Sequence, residues 1–245
     1  MKSFSYRDLT LTELPGGTLV TACDSTGGIG QKPGDAMLCP PFITGAYTVR
    51  VALAEVLCFG ARVVAVTDAV CCEMEPTGRE IVRGIQSELA DAGLSSLPLN
   101  GSTEENMQTA MTAVGVTVVG WYDGRPCLKN VVAGDWALLY GKLKMGGEVV
   151  QGHDAEIFDY ADIVRLRAMP GVRELVPVGS HGLAYEAGLL ASLNGLGFTV
   201  DSGNVVDVKR SGGPGTGLLV AVAPAAAKAL LTDRKAALVG TFRNL

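Results

Sequence analysis

Short apolar runs alternate with amphipathic stretches along most of this chain, and their periods predict its elements. Thr18 to Ala22 is β-branched and apolar, is bounded by Pro15-Gly16-Gly17, and predicts a first strand. Phe42 to Gly60 carries Ala46, Val49, Leu53, Val56 and Leu57 at spacings of three and four, which predicts a helix opened by Pro40-Pro41 and closed by Gly60. Arg62 to Val70 reads as a strand with Asp68 near its end. Thr77 to Ala92 sets Ile81, Ile85 and Leu89 on one helix face and Arg79, Glu80, Arg83, Glu88 and Asp91 on the other, with Gly93 as the cap. Leu94 to Leu99, Thr109 to Tyr122, Cys127 to Val132 and Trp136 to Tyr140 are further predicted strands, with Asp123-Gly124 as a turn. Lys2 to Glu13 reads as a polar lead.

Composition changes over Gly141 to Gly152, a glycine- and lysine-bearing connector. We expect a domain boundary there, dividing residues 1–145 from 146–245. Beyond it, helices are predicted over Asp154 to Ala168, His181 to Asn194 and Pro224 to Leu231, with proline in the first turn of the last. Strands are predicted over Glu174 to Val178, Phe198 to Val206, Leu218 to Val222 and Ala236 to Phe242. The pattern is that of a two-domain α/β protein, with a mixed and largely antiparallel sheet expected in the first domain.

The 245 residues suffice for two domains, and 48% hydrophobic content with 32 glycines suits a well-buried core with tight turns. A formal charge of −5 argues against nucleic-acid or anionic-membrane partners, both of which need a basic surface. No apolar run of membrane-spanning length is apparent, and Met1 to Glu13 does not read as a signal peptide. The six cysteines form no C-x-x-C and are joined only by His153 and His181, so structural zinc is not expected; buried reduced thiols in a cytoplasmic protein are.

Candidate chemistry centres on Val20-Thr-Ala-Cys-Asp24-Ser-Thr-Gly-Gly28-Ile-Gly30-Gln-Lys32-Pro-Gly-Asp35. Glycines let backbone N–H groups approach an anion, Asp24 past the strand end suits a hard cation, and Lys32 suits a phosphate. Glu55, Asp68 and the Glu104-Glu105 pair are further acids at or beside apolar elements, where acids are seldom buried unless paired or metal-bound. Oxygen ligands without His or thiolate favour Mg²⁺ shared with substrate phosphates. Each has a structural alternative: Asp68 as a cap, Glu55 reaching solvent, Glu104 and Glu105 at a helix start. His181 suits a substrate contact and a local cap equally, the loop Lys209 to Gly217 reads as a tight turn sooner than as an approach to a nucleotide, and Cys71-Cys72 reads as core. No G-x-x-x-x-G-K-[ST] occurs.

In order and spacing these motifs resemble the aminoimidazole ribonucleotide synthetase-like (PurM-like) ATP-binding superfamily. Cys23 to Lys32 is similar to its T-D-G-x-G-T-K motif, and Ala54-Glu55 to Gly60-Ala61 to N-D-[IL]-x-x-x-G-A. Val63 to Asp68 is similar to its following strand, Asn100-Gly101-Ser102-Thr103-Glu104-Glu105 to G-G-[ED]-T, Ala133 to Asp135 to P-G-D, and Ser180 to Leu183 to S-D-G-G-L. The resemblance implies paired sheets forming a barrel across a homodimer, and ATP with Mg²⁺ on Asp24, Glu55, Asp68 and Glu105 or Glu104. It also implies Lys32 near phosphate and Gly28, Gly30, Gly101, Thr103 and Glu104 around the nucleotide. Three features depart from the pattern: Ser102 replaces an acid, only Met1 to Thr18 stand where a Gly-rich segment is usual, and the second domain is short.

The Asp24 to Pro33 loop looks most like the α-ribazole kinase branch, which serves salvage of the lower ligand of cobalamin. That implies transfer of the γ-phosphoryl of ATP to the 5′-hydroxyl of a small nucleoside, with Asp24 or Asp35 accepting the proton. The alternatives are a thiamine-phosphate kinase-like or ATP-dependent cyclising enzyme, and a non-catalytic nucleotide-binding regulatory subunit. A homodimer is also expected from the residues themselves, because Thr109 to Tyr122 reads as a long apolar edge strand.

Overall fold

The computed structural model describes residues 1–149 and 154–245; His153 and the end of the expected connector lie outside the described residues. The chain packs as two compact units, residues 1–57 with 61–125 and residues 58–60 with 126–245.

The first unit is built on a six-stranded sheet. Its strands are β1 (Lys2–Tyr6), β2 (Leu9–Leu14), β3 (Gly17–Gly27), β6 (Arg62–Val70), β7 (Leu99–Thr103) and β8 (Ala113–Asp123), in the order β1-β2-β3-β8-β6-β7. All neighbours are antiparallel except β6 and β7. A two-stranded parallel ribbon, β4 (Ile29–Gly30) with β5 (Met37–Leu38), folds the glycine loop. Val20 and Ala22 of β3, Val66 and Val70 of β6, and Val114, Val116 and Val118 of β8 are buried, as alternation on one covered sheet face requires. Helix α1 (Pro41–Phe59) covers that face: its Thr48 hydroxyl is hydrogen-bonded to Thr26 of β3 at 2.8 Å. Helix α2 (Arg79–Asp91) packs on α1 through two glycines. A Cβ at Gly45 would lie 2.1 Å from the Ile81 carbonyl, and one at Gly84 1.9 Å from that of Phe42.

The polar lead is the β1–β2 hairpin, whose Leu9 and Leu11 are buried while alternate positions stay polar. Residues 94–98 form turns, and the strand begins at Leu99. Asp24 lies inside β3, not beyond it, because pairing with β8 carries the strand through Ser25 and Thr26 to Gly27. β8 is no edge strand; β3 and β6 pair with its two sides, which removes the edge argument for a dimer. α1 is long and apolar enough to cross a membrane, contrary to expectation, but 72% of its apolar window is buried in the fold, where a helix apolar all round belongs. Only Cys58 and Cys72 are buried; Cys23, Cys71 and Cys127 are exposed, and all six cysteines are free.

The second unit carries an antiparallel sheet of β9 (Trp136–Gly141), β10 (Val172–Pro177), β11 (Gly197–Val200), β12 (Gly217–Val222) and β13 (Ala236–Arg243), ordered β10-β12-β9-β13-β11. Cys127 to Val132 forms no strand, and β9, expected in the first domain, is the centre of this sheet. Helices α3 (Tyr160–Ala168), α4 (Leu183–Leu193) and α5 (Pro224–Leu230) complete the unit. Leu139, Leu183, Leu190, Leu219 and Val239 lie in one core cluster. The Lys209 to Gly217 loop is a tight turn, since a Cβ at Gly212 would meet the Val178 carbonyl at 1.9 Å. His181 is exposed before α4, its ring 4.7 Å from that of Tyr185.

Tyr140 of β9 ties this unit together. Its hydroxyl stands 2.9 Å from Asp162 and 2.8 Å from Asp233 and accepts from Arg165 at 2.5 Å. Burial and the two carboxylates push the phenol upward. Tyr140→Phe should lower unfolding stability by about 1–2 kcal/mol, the cost of leaving buried hydrogen-bonding groups short of a partner. Denaturant midpoints would show it, and an unchanged midpoint would contradict it.

Candidate active site

The strand register of the first unit collects the candidate residues at one end of its sheet. Asp24 is opposite Val116, Val116 opposite Asp68, and Asp68 opposite Gly101, so one row crosses β3, β8, β6 and β7. Cross-strand partners point to the same face, and Val116 in the middle is 2% exposed. The two aspartates are therefore two strand spacings apart, roughly 10 Å, on the helix-covered face. An open recess of about 400 Å³ along these strands is lined mainly by Cys23, Ser25, Thr67, Ala69, Gly115 and Thr117, which alternate with the row and belong to the other sheet face.

Among the described residues no ion pair reaches Asp24 or Asp68. Burial raises the Asp24 carboxyl above its ordinary range, with a hydrogen bond from the Ser25 backbone opposing and the charge of Asp8 adding to it. Burial alone raises Asp68. Its carboxylate lies over Gly101, where a Cβ would stand 2.3 Å from Oδ1.

The glycine loop leaves the same end of the sheet. Gly27 pairs with Ala113, three residues beyond the Asp24–Val116 pair, and Gly28 N–H then donates to the Thr112 carbonyl at 2.8 Å. Asp35 staples the loop: Oδ1 accepts from Thr112 N–H at 2.7 Å, and Oδ2 accepts from Lys32 N–H at 2.7 Å and the Thr112 hydroxyl at 2.8 Å. Burial acts to raise the Asp35 carboxyl, but these donors outweigh it and hold it below its usual range. Gly30 has no room for a side chain, because a Cβ would stand 2.1 Å from the Thr112 hydroxyl and 2.6 Å from Asp35 Oδ2. Gly28 takes φ +72°, which suits only glycine well.

Lys32 Nζ pairs with Glu73 Oε2 at 2.5 Å and donates to the Thr109 carbonyl at 3.3 Å. Glu73 also accepts from the Thr77 hydroxyl at 2.6 Å. Burial would raise the Glu73 carboxyl, yet the Lys32 and Thr77 hydrogen bonds bring it below its usual range. Thr103 ends β7 opposite Val70, at the same end again. Its hydroxyl donates to Glu105 at 2.7 Å, and Glu105 also accepts from Met74 N–H at 2.9 Å. Glu104 accepts from the N–H groups of Asn106 and Met107. The last two acids thus fold the loop after β7.

The predicted metal set is only partly assembled. Among the described residues no three His, Cys, Asp or Glu side chains are grouped to hold one ion. Glu55 is buried on α1, and Glu105 is engaged as above. Asp24 and Asp68, desolvated and uncompensated, fit Mg²⁺ of the kind held by one or two carboxylates and otherwise by phosphate and water. Glu73 and Thr112, which hold Lys32 and Asp35, carried no signal in the sequence: they lie 41 and 77 residues from their partners. Of the Cys71-Cys72 pair, Cys72 is core as expected, its thiol pushed up by burial, whereas Cys71 is exposed.

Residues 9–122 match the family model described as AIR synthase related protein, N-terminal domain. Among curated proteins none matches the chain. Among solved structures the chain is similar to T. maritima PurL complexed with ATP, at TM-score 0.71 and 16% identity over 97% of this chain and 42% of that one. It is also similar to AaThiL complexed with AMPPCP and TMP, at TM-score 0.67 and 13% identity over 97% of this chain and 85% of that one. Thiamine-monophosphate kinase from Stenotrophomonas maltophilia K279a gives TM-score 0.64 and 19% identity over 99% and 89%. The chain thus spans less than half of the PurL chain. These structural similarities show a common fold, the mixed α/β architecture of mainly antiparallel sheets flanked by helices.

The two uncompensated carboxylates carry a prediction. Their raised folded-state pKa means that the folded protein holds protons more tightly than the unfolded chain. Stability of the ligand-free protein therefore falls as pH rises from about 4 through that raised value. Asp68→Asn should melt higher than the wild type at pH 7.5, with the difference shrinking as pH is lowered toward about 4. A lower melting temperature at pH 7.5 would mean that the charge is paired in the fold.

Proposed function

We propose that this protein is an ATP-dependent kinase for a small nucleoside, transferring the γ-phosphoryl of ATP to the 5′-hydroxyl of α-ribazole. The observation that carries the kinase reading is the row Asp24–Val116–Asp68–Gly101 beside the Lys32 loop: uncompensated carboxylates, a lysine and a glycine loop at one end of one sheet. Support for a nucleotide comes from the match of residues 9–122 and from the ATP and AMPPCP named in similar structures. The choice of acceptor rests on the likeness of the Asp24 to Pro33 loop to the α-ribazole kinase branch.

Phosphoryl transfer asks little covalent chemistry of a protein; it asks for position and for charge facing the phosphates. Asp24 and Asp68, on either side of Val116, would each offer one carboxylate to Mg²⁺, which when bound offsets the charge of the phosphate oxygens. Lys32, seated by Glu73 and the Thr109 carbonyl, presents its ammonium from the loop as a point charge for a phosphate. Asp35 is a poor proton acceptor, because three donors already occupy its oxygens and hold its carboxyl low. Asp24, with one backbone donor from Ser25, is the less engaged of the two candidates for accepting the hydroxyl proton.

Two measurements test this. ADP formation from MgATP should depend on α-ribazole and exceed that with thiamine monophosphate. Faster turnover with thiamine monophosphate would move the acceptor to the thiamine pathway, and nucleotide binding without turnover on any acceptor would favour a regulatory subunit. Asp24→Asn should lower turnover about a hundredfold or more, equivalent to ~3 kcal/mol, with the fold retained. Asp91→Asn, at an exposed position late in α2, should leave turnover near normal. Near-normal turnover in Asp24→Asn would remove the row from the site.

A further inference from the structure

Gly101 is the fourth member of the acidic row, on the outermost strand of the sheet. Glycine inside a strand gives up side-chain packing and leaves the unfolded chain freer, so its presence calls for a reason. Backbone geometry does not supply one, since Gly101 is not among the residues of positive φ and an L side chain is compatible with its conformation. Space does. A Cβ at position 101 would stand 2.3 Å from Asp68 Oδ1, 2.4 Å from Oδ2 and 2.5 Å from Cγ. The whole carboxyl group, not merely its tip, fills the volume that a side chain would occupy. The same crowding does not occur at Gly115, beside Val116 on β8, whose nearest neighbour would be 3.9 Å away.

We propose that Gly101 is a positioning residue, whose missing side chain forms the seat on which the Asp68 carboxylate rests at the edge of the sheet. A methyl group at 101 displaces that carboxylate. It cannot settle across the row without crossing Val116, which is 2% exposed, so it must turn out of the row. The seat itself is a matter of geometry; its consequence for cation binding rests on the functional reading of Asp68 given above. Gly101 then acts through Asp68 and not by touching the nucleotide.

The test uses the full chain and two independent readouts. The first is thermal melting of Gly101→Ala, Asp68→Ala and the double variant. The seat predicts that Gly101→Ala lowers the melting temperature in the wild type and costs nothing in the Asp68→Ala background, where the methyl group fills vacated space. If Gly101→Ala alone fails to fold, the double variant should fold. Equal losses in both backgrounds would overturn the proposal. The second readout is Mn²⁺ binding, followed by electron paramagnetic resonance with a non-hydrolysable ATP analogue present. Gly101→Ala should weaken it about tenfold or more, and Gly101→Ala with Asp68→Asn should be no weaker than Asp68→Asn alone. Weakening by Asp68→Asn without any effect of Gly101→Ala would also overturn the proposal. Should Asp68→Asn leave Mn²⁺ binding unchanged, the cation reading of the row fails, and the melting comparison still decides the seat.

Discussion

Everything proposed for this protein depends on the register between β3 and β8. Their pairing runs from Gly17 opposite Asp123 to Gly27 opposite Ala113 without a break. A slip of one residue would turn every side chain of β3 to the other face. Asp24 would leave the covered face for the exposed one that Cys23 and Ser25 now occupy. The valines of β8 and the buried Thr18, Val20 and Ala22 of β3 fix the register by burial. The acidic residue then follows the apolar ones onto their face, where it is desolvated. Core packing thus creates the charge strain at Asp24 and Asp68 that a bound cation would relieve.

The loop between β3 and α1 shows a division of labour among residues that look alike in the sequence. Asp24 and Asp35 bracket the same glycines. Asp35 has three protein donors and belongs to the loop's own architecture, whereas Asp24 has a single backbone donor and a raised carboxyl. Gly28 meets a backbone requirement and Gly30 a spatial one, made by Thr112 and Asp35. Lys32 is oriented by an ion pair that is only partly exposed, with the lysine side chain 14% and the Glu73 side chain 30% accessible. Such a pair contributes more to direction than to stability, since desolvation offsets much of the attraction.

Elements with a strong period or a continuous apolar run were legible in the sequence. β6 spans the expected Arg62 to Val70, and α1 and α2 begin and end within two residues of their periodic patterns. The failures have physical causes. Ser25, Thr26 and Gly27 favour loops, but eleven residues of pairing with β8 override that preference. Lys2 to Glu13 has too few large apolar residues to read as sheet until Leu9 and Leu11 are seen buried. Asp24 and Asp68 were legible as chemistry, yet their common row was not, because it depends on Val116 of β8, 92 residues beyond Asp24 and 48 beyond Asp68. Glu55, Glu104 and Glu105 carried the same compositional signal as these two, and only the fold distinguishes a buried helix position or a loop brace from a member of the row.

The central claim is that Asp24 and Asp68 are the cation-facing members of a nucleotide site. A crystal structure with Mg²⁺ and a non-hydrolysable ATP analogue tests it most directly. The account predicts metal density with a carboxylate oxygen of Asp24 or Asp68 at about 2.1 Å and phosphate oxygens completing the shell. Lys32 should lie within hydrogen-bond reach of a phosphate. A nucleotide bound elsewhere, with both carboxylates free of metal, would contradict it.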